Sequence, residues 1–193
     1  MKAFATYTTF ALPLSLFILA ASAFAQQQTF SISPDASEVK MTLKTNHDTV
    51  NGTFHVQSGA IVFDPSTPSI SGSVVVASGS GKTGNDSRDK KMNKDILKVD
   101  QYTTVSFAPK SYTGTISSSG HSTIQVNGIF TLLGTPHDLT IPMQIQIDGS
   151  NCTAKAHLVI PYIQWGVKSP SFMIFKAEND VALDLSLVGH LSN

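Results

Sequence analysis

The sequence predicts an all-β fold, an antiparallel sandwich or barrel carrying one short helix. Three observations carry that expectation. From Thr29 onward apolar residues recur at every second position over most of the chain, the period of a half-buried strand. Clusters of Gly, Pro, Asn, Asp and Ser separate these runs at the spacing of strand connections. One segment, residues 83–107, breaks the rhythm. Only 13% of the chain is charged, about half the usual share, yet a dense cluster of charges falls there.

The first segment reads as an export signal. Lys2 supplies a positive start, Phe10 to Ala21 is mostly apolar, and Ala23-Phe24-Ala25 fits the small-x-small cleavage rule. Residues 1–25 are therefore expected to be a cleavable signal peptide and residues 26–193 a single domain. The apolar run is short for a membrane span and no later run is long enough, so stable membrane insertion is not expected. About 168 residues remain, enough for one domain with its own core.

Charge and cysteine content narrow the function further. Loss of Lys2 from a chain with 13 basic and 13 acidic residues leaves a net charge of about −1. That balance argues against nucleic acid, which needs a basic surface. Lys90, Lys91, Lys94 and Lys98 alternate with Asp89, Asp95 and Asp100, so they form no polybasic patch. Cys152 is the one cysteine, which excludes an internal disulfide and reads as a small buried hydrophobe.

The strands follow in order. Val39, Met41 and Leu43 alternate with Glu38, Lys40, Thr42 and Lys44, and Val50, Phe54 and Val56 alternate with polar neighbours. Asp64-Pro65-Ser66-Thr67-Pro68 marks a reversal. In the charged segment Gly84-Asn85 signals a turn, and Asp86 or Ser87 is the expected N-cap of a helix. Alternation resumes at Val105 and Phe107. After the Ser117-Ser118-Ser119-Gly120 turn, Ser122 to Leu133 can run unbroken, with Ile124, Val126, Phe130 and Leu132 sharing one parity.

Leu139, Ile141, Met143, Ile145 and Ile147 keep strict period two, and the turn at Asp148-Gly149-Ser150-Asn151 follows them. Ala154, Ala156, Leu158 and Ile160, then Val181, Leu183, Leu185 and Leu187, complete the set. The opposite faces carry Ser, Thr, Gln and His, which suits a solvated exterior. In a sandwich the apolar faces interdigitate, whereas a closed barrel of about eight strands leaves room for one small ligand. Long unbroken strands favour the barrel. Fourteen residues of shared parity then face its lumen as candidate ligand contacts: Val39, Met41, Leu43, Phe54, Phe107, Ile124, Val126, Phe130, Ile141, Met143, Ile145, Leu158, Leu183 and Leu185.

Catalytic and cofactor motifs are weak. Ser78-Gly79-Ser80-Gly81-Lys82-Thr83 resembles a phosphate loop, but Val76 stands where that pattern needs Gly. The six histidines lack metal-ligand spacing, and no Gly-x-Ser-x-Gly elbow occurs. No cofactor, metal or catalytic residue is assigned. Arg88 and Asp89 stand out in the helical segment. One reading makes them a structural pin that fixes the excursion to the barrel; the other puts Arg88 at the mouth against a ligand's polar head.

Four motifs in register resemble the YceI-like family of exported lipid-binding proteins. They are Val50-Asn51-Gly52-Thr53-Phe54 with Gly59-Ala60-Ile61-Val62-Phe63-Asp64; Thr83-Gly84 with Arg88-Asp89 and Val105-Ser106-Phe107; Val126 to Gly134; and Trp165-Gly166-Val167. The resemblance implies an extended, lipocalin-like antiparallel β-barrel of about eight strands with a short helix. It also implies an apolar lumen for a polyisoprenoid or other long-chain lipid, a periplasmic or secreted location, a link to envelope stress, and no enzyme activity. The chain departs from the family pattern at Lys91-Met92, where His-Leu is usual. It departs again at Tyr162 and Gln164, where an Arg and an Asp are common. An isomerase or hydrolase working on an apolar substrate in the same cavity is the alternative, and an envelope module with a packed core is the third. The oligomeric state, a homodimer included, is left open.

Overall fold

A computed structural model describes residues 27–171, 174 and 176–193. The expected signal peptide, residues 1–25, lies outside the described residues. Among those described, nine strands form one antiparallel sheet. They are β1 (Gln28–Ile32), β2 (Glu38–Lys44), β3 (Thr49–Phe63), β4 (Ile70–Ala77), β5 (Thr104–Gly114), β6 (Gly120–Leu132), β7 (Thr135–Asp148), β8 (Asn151–Ile160) and β9 (Val181–Ser192). From β3 to β9 each strand pairs with the next, and β2 joins β9 back to β3. The sheet is a closed up-and-down barrel, as the long alternating runs predict.

Nine strands make eight staves, because β1 and β2 share one. Both lie between β3 and β9: β1 pairs with the far end of β3 at Ala60 to Phe63, and β2 with its start at Thr49 to His55. A 3₁₀ turn at Pro34–Ala36 interrupts the stave. Buried Ser37 repairs the gap, its hydroxyl donating to the Ser33 carbonyl (2.8 Å) and accepting from the Val188 N–H (2.9 Å). A side chain thus replaces ladder bonds that the turn removes.

The two ends of the barrel differ. One end carries short connections, at 64–69, 115–119 and 149–150, together with the start of β1 and the end of β9. The other carries the excursion 78–103 and the connection 161–180. Two bulges, at Val56/Ser58 and Pro109/Ser111, reverse which parity faces inward. They turn Ile61 and Phe63 of β3 inward, and Tyr112 of β5.

Two apolar clusters wall the two halves. Phe30, Phe63, Ile116, Ile147 and Cys152 belong to the one at the short-turn end, and Ile96, Ile141, Ile160, Tyr162 and Val167 to the other. Phe107, Met143, Leu183 and Leu185 pack against both. Gly128 in β6 makes room for Phe107: a Cβ there would lie 2.6 Å from the ring and 2.5 Å from the Ala108 carbonyl oxygen.

Helix α1 spans Asp86–Lys91 and runs on into a π turn at Met92–Ile96. Its N-cap is Asn85, not the expected Asp86 or Ser87. Asn85 is extended (φ −138°, ψ 110°), and its side-chain oxygen accepts the Arg88 N–H at 3.0 Å. Asp86 takes the first helical position, where a carboxylate complements the exposed N–H groups.

Candidate functional site

The barrel encloses a cavity of about 670 Å³. All fourteen residues expected to face the lumen line it, from Val39 on β2 round to Leu185 on β9. Val39, Ile124, Val126, Ile141 and Leu158 are buried outright. The others, Met41, Leu43, Phe54, Phe107, Phe130, Met143, Ile145, Leu183 and Leu185, are half-buried. Shared parity brings these side chains together because a strand's period is two and the sheet closes on its apolar face.

Further residues line the cavity, and parity alone misreads two of them, Ile61 and Phe63. Ile61, Phe63 and Pro109 line the cavity too, two of them beyond the β3 bulge. Cys152, Ala154, Ile160 and Leu187 have the inward parity of their strands and also line it. Cys152 is 4% exposed, and burial pushes its thiol up to about 11. It is a packing residue of the lumen wall, consistent with its reading as a small hydrophobe.

One end is sealed. Phe63, Ile116 and Cys152 face the cavity there and are buried. Beside them Tyr112 is 3% exposed, and its hydroxyl lies 2.8 Å from the carbonyl oxygens of both Asp64 and Thr67, tying the β3–β4 turn across the end. Burial, with the nearby Asp64 carboxylate, raises the Tyr112 hydroxyl above its usual value. Asp64 itself is held low by hydrogen bonds from the Ser66 hydroxyl and N–H.

Among the described residues the helix end is open. Asp48, Ser87 and Lys91 line the cavity and are exposed. Arg88 and Asp89 converge on Thr83. The Asp89 carboxylate accepts from the Thr83 N–H (3.0 Å) and hydroxyl (2.5 Å). Arg88 donates through Nε to the same hydroxyl oxygen (2.8 Å) and through a terminal nitrogen to the Thr83 carbonyl (2.7 Å). Thr83 directly follows Lys82, whose backbone bridges to Thr53 of β3. The excursion is thereby fastened to the barrel wall. Of the pair, only Arg88 also lines the cavity.

Aromatic packing at this end was not legible in the alternation. Trp165, from the 161–180 connection, stacks on His137 of β7 (centroids 4.1 Å, planes 5° apart) and tilts against Phe130 at 5.6 Å. Tyr162, where the family pattern carries Arg, is buried, lines the cavity and donates to the Glu178 carbonyl at 2.6 Å. That position contributes wall rather than charge. Among the described residues no group of three or more His, Cys, Asp or Glu side chains is placed to hold a metal.

A family profile described as the YceI-like domain matches residues 30–189. The chain belongs to the YceI-like family. Solved structures share this YceI-like barrel. BcnA of Burkholderia cenocepacia superposes with a TM-score of 0.68 at 19% identity, over 82% of this chain and 99% of that one. A polyisoprenoid-binding domain from Saccharophagus degradans, implicated in plant cell wall breakdown, gives 0.65 at 12% identity, over 84% and 98%. The YCEI protein of Campylobacter jejuni gives 0.53 at 18% identity, over 78% and 85%. At these identities the likeness establishes the fold. No curated protein matches the chain.

Proposed function

We propose that this YceI-like protein holds a long apolar lipid of the polyisoprenoid type in its lumen, and carries or sequesters it across water in the periplasm or outside the cell without altering it. The observation that carries the reading is the cavity of about 670 Å³, walled by aliphatic and aromatic side chains and open at the helix end. Burying a chain there stabilises by about 0.8 kcal/mol per CH₂ relative to water. The same chain is equally stable in a bilayer, so the lumen gives little net pull out of a membrane. What it provides is a shield in water. Family membership and the fold shared with a polyisoprenoid-binding domain support the ligand class. The signal-like first 25 residues support the location.

Native mass spectrometry of protein purified from its own host, followed by lipid extraction and identification, tests the proposal. A retained, chemically intact long-chain lipid is expected. Turnover of that lipid on incubation favours an enzyme using the same cavity. Protein that neither retains nor takes up any apolar chain overturns the reading. A packed-core envelope module is disfavoured already, since a packed core leaves no cavity of this size.

A further inference from the structure

Among the described residues the lumen has one way in and a floor. Phe63, Ile116 and Cys152 line its sealed end and are each more than nine-tenths buried, while rim residues Asp48 and Ser87 line the open end and are exposed. Tyr112, anchored on the Asp64 and Thr67 carbonyls, fixes the connection that crosses that sealed end. A linear chain that enters at the rim runs toward this floor.

We propose that the floor is a length gauge: Ile116 and Cys152 set the longest linear prenyl chain that the lumen accepts. The inference rests on the lipid-binding reading above and adds a limit to it. Carbons inside the lumen and carbons inside a bilayer are equally shielded, so they contribute almost nothing to the choice between the two. Carbons that the floor keeps out remain in water at the rim. Each weakens binding roughly fourfold, the factor that corresponds to exposing one CH₂. Measured against a membrane reservoir, binding thus shows a cut-off in chain length instead of a steady trend.

Both floor residues can change size while the barrel ladder stays intact. Ile116 lies in the connection after β5, and Cys152 presents its side chain inward from the start of β8. The test mixes the protein with phosphatidylcholine vesicles carrying equal amounts of geraniol, farnesol, geranylgeraniol and longer all-trans homologues. Native mass spectrometry then reads which prenols are bound. Occupancy is expected to fall sharply beyond one homologue. Cys152→Phe should move that cut-off to a shorter prenol and Ile116→Ala to a longer one.

Melting curves accompany both variants. If Cys152→Phe fails to fold, Ile116→Ala, which only removes atoms, still decides the matter. Prenol binding with no cut-off, or a cut-off that a folded Ile116→Ala leaves in place, overturns the gauge while lipid binding stands. Failure of the wild-type chain to take up any prenol overturns the lipid-binding reading, and the gauge with it.

Discussion

Asp89 is bonded to Thr83 twice, through the threonine N–H at 3.0 Å and its hydroxyl at 2.5 Å, so one buried carboxylate holds the start of the excursion against the helix. The Thr83 hydroxyl is the main reason that the Asp89 carboxyl sits below its ordinary value. A carboxyl held low in the folded chain stabilises fully above the unfolded carboxylate range, and that contribution disappears as pH falls through the folded value. Hydrogen-exchange protection over residues 83–96, taken relative to the intrinsic rate at each pH, should therefore fall in acid before that of the strands does. In Asp89→Asn that protection should be low already at neutral pH, and its acid dependence should flatten.

Arg88→Ala separates pin from head-group contact. The side chain donates two hydrogen bonds to Thr83, and its loss is expected to cost about 1 kcal/mol at this half-buried position. Lipid preference should be unchanged. Unaltered melting with lost preference for anionic lipids would assign Arg88 to the ligand instead.

Phe130→Asp addresses the lumen directly. Phe130 lines the cavity and packs against Trp165. An unpaired carboxylate there costs several kcal/mol unless it protonates. Lipid retention should vanish, with circular dichroism confirming that the barrel remains. A folded variant with full lipid load would refute the placement of the ligand.

Cys152 reports on occupancy. Its thiol is pushed up to about 11, so at neutral pH the reactive thiolate is scarce. Labelling by methyl methanethiosulfonate, followed by mass, should be slow and rise about tenfold per pH unit below that value. A lipid in the lumen should slow it further. Equal rates for loaded and stripped protein would show that the chain does not reach the sealed end.

Gly128→Ala tests the contact between β5 and β6. The new methyl would lie 2.5 Å from the Ala108 carbonyl oxygen, which belongs to backbone and cannot swing aside. A loss of about 1–3 kcal/mol is expected, read as a lower melting midpoint.

Much of the barrel was legible because a strand's period is short and local. Ile124 to Leu132 and Leu139 to Ile147 announce their faces in sequence alone, and both lie where expected. Legibility failed where geometry depends on a partner strand. The bulge after Val56 reverses parity, so Ile61 and Phe63 turn inward against simple alternation. The N-cap fell one residue early because Asn85, readable as a turn residue, also caps. Trp165 meets His137 only through the 161–180 connection, a contact between distant residues that no local pattern encodes.

Thr29 and Ser192 are paired neighbours, side by side at the sealed end. The chain that enters β1 and the chain that leaves β9 therefore both meet the barrel at its base, away from the opening. A fluorophore or a surface linker joined after β9 is held at this base and leaves the rim clear. The barrel can thus be mounted upright by the end of β9, with its mouth turned away from the support.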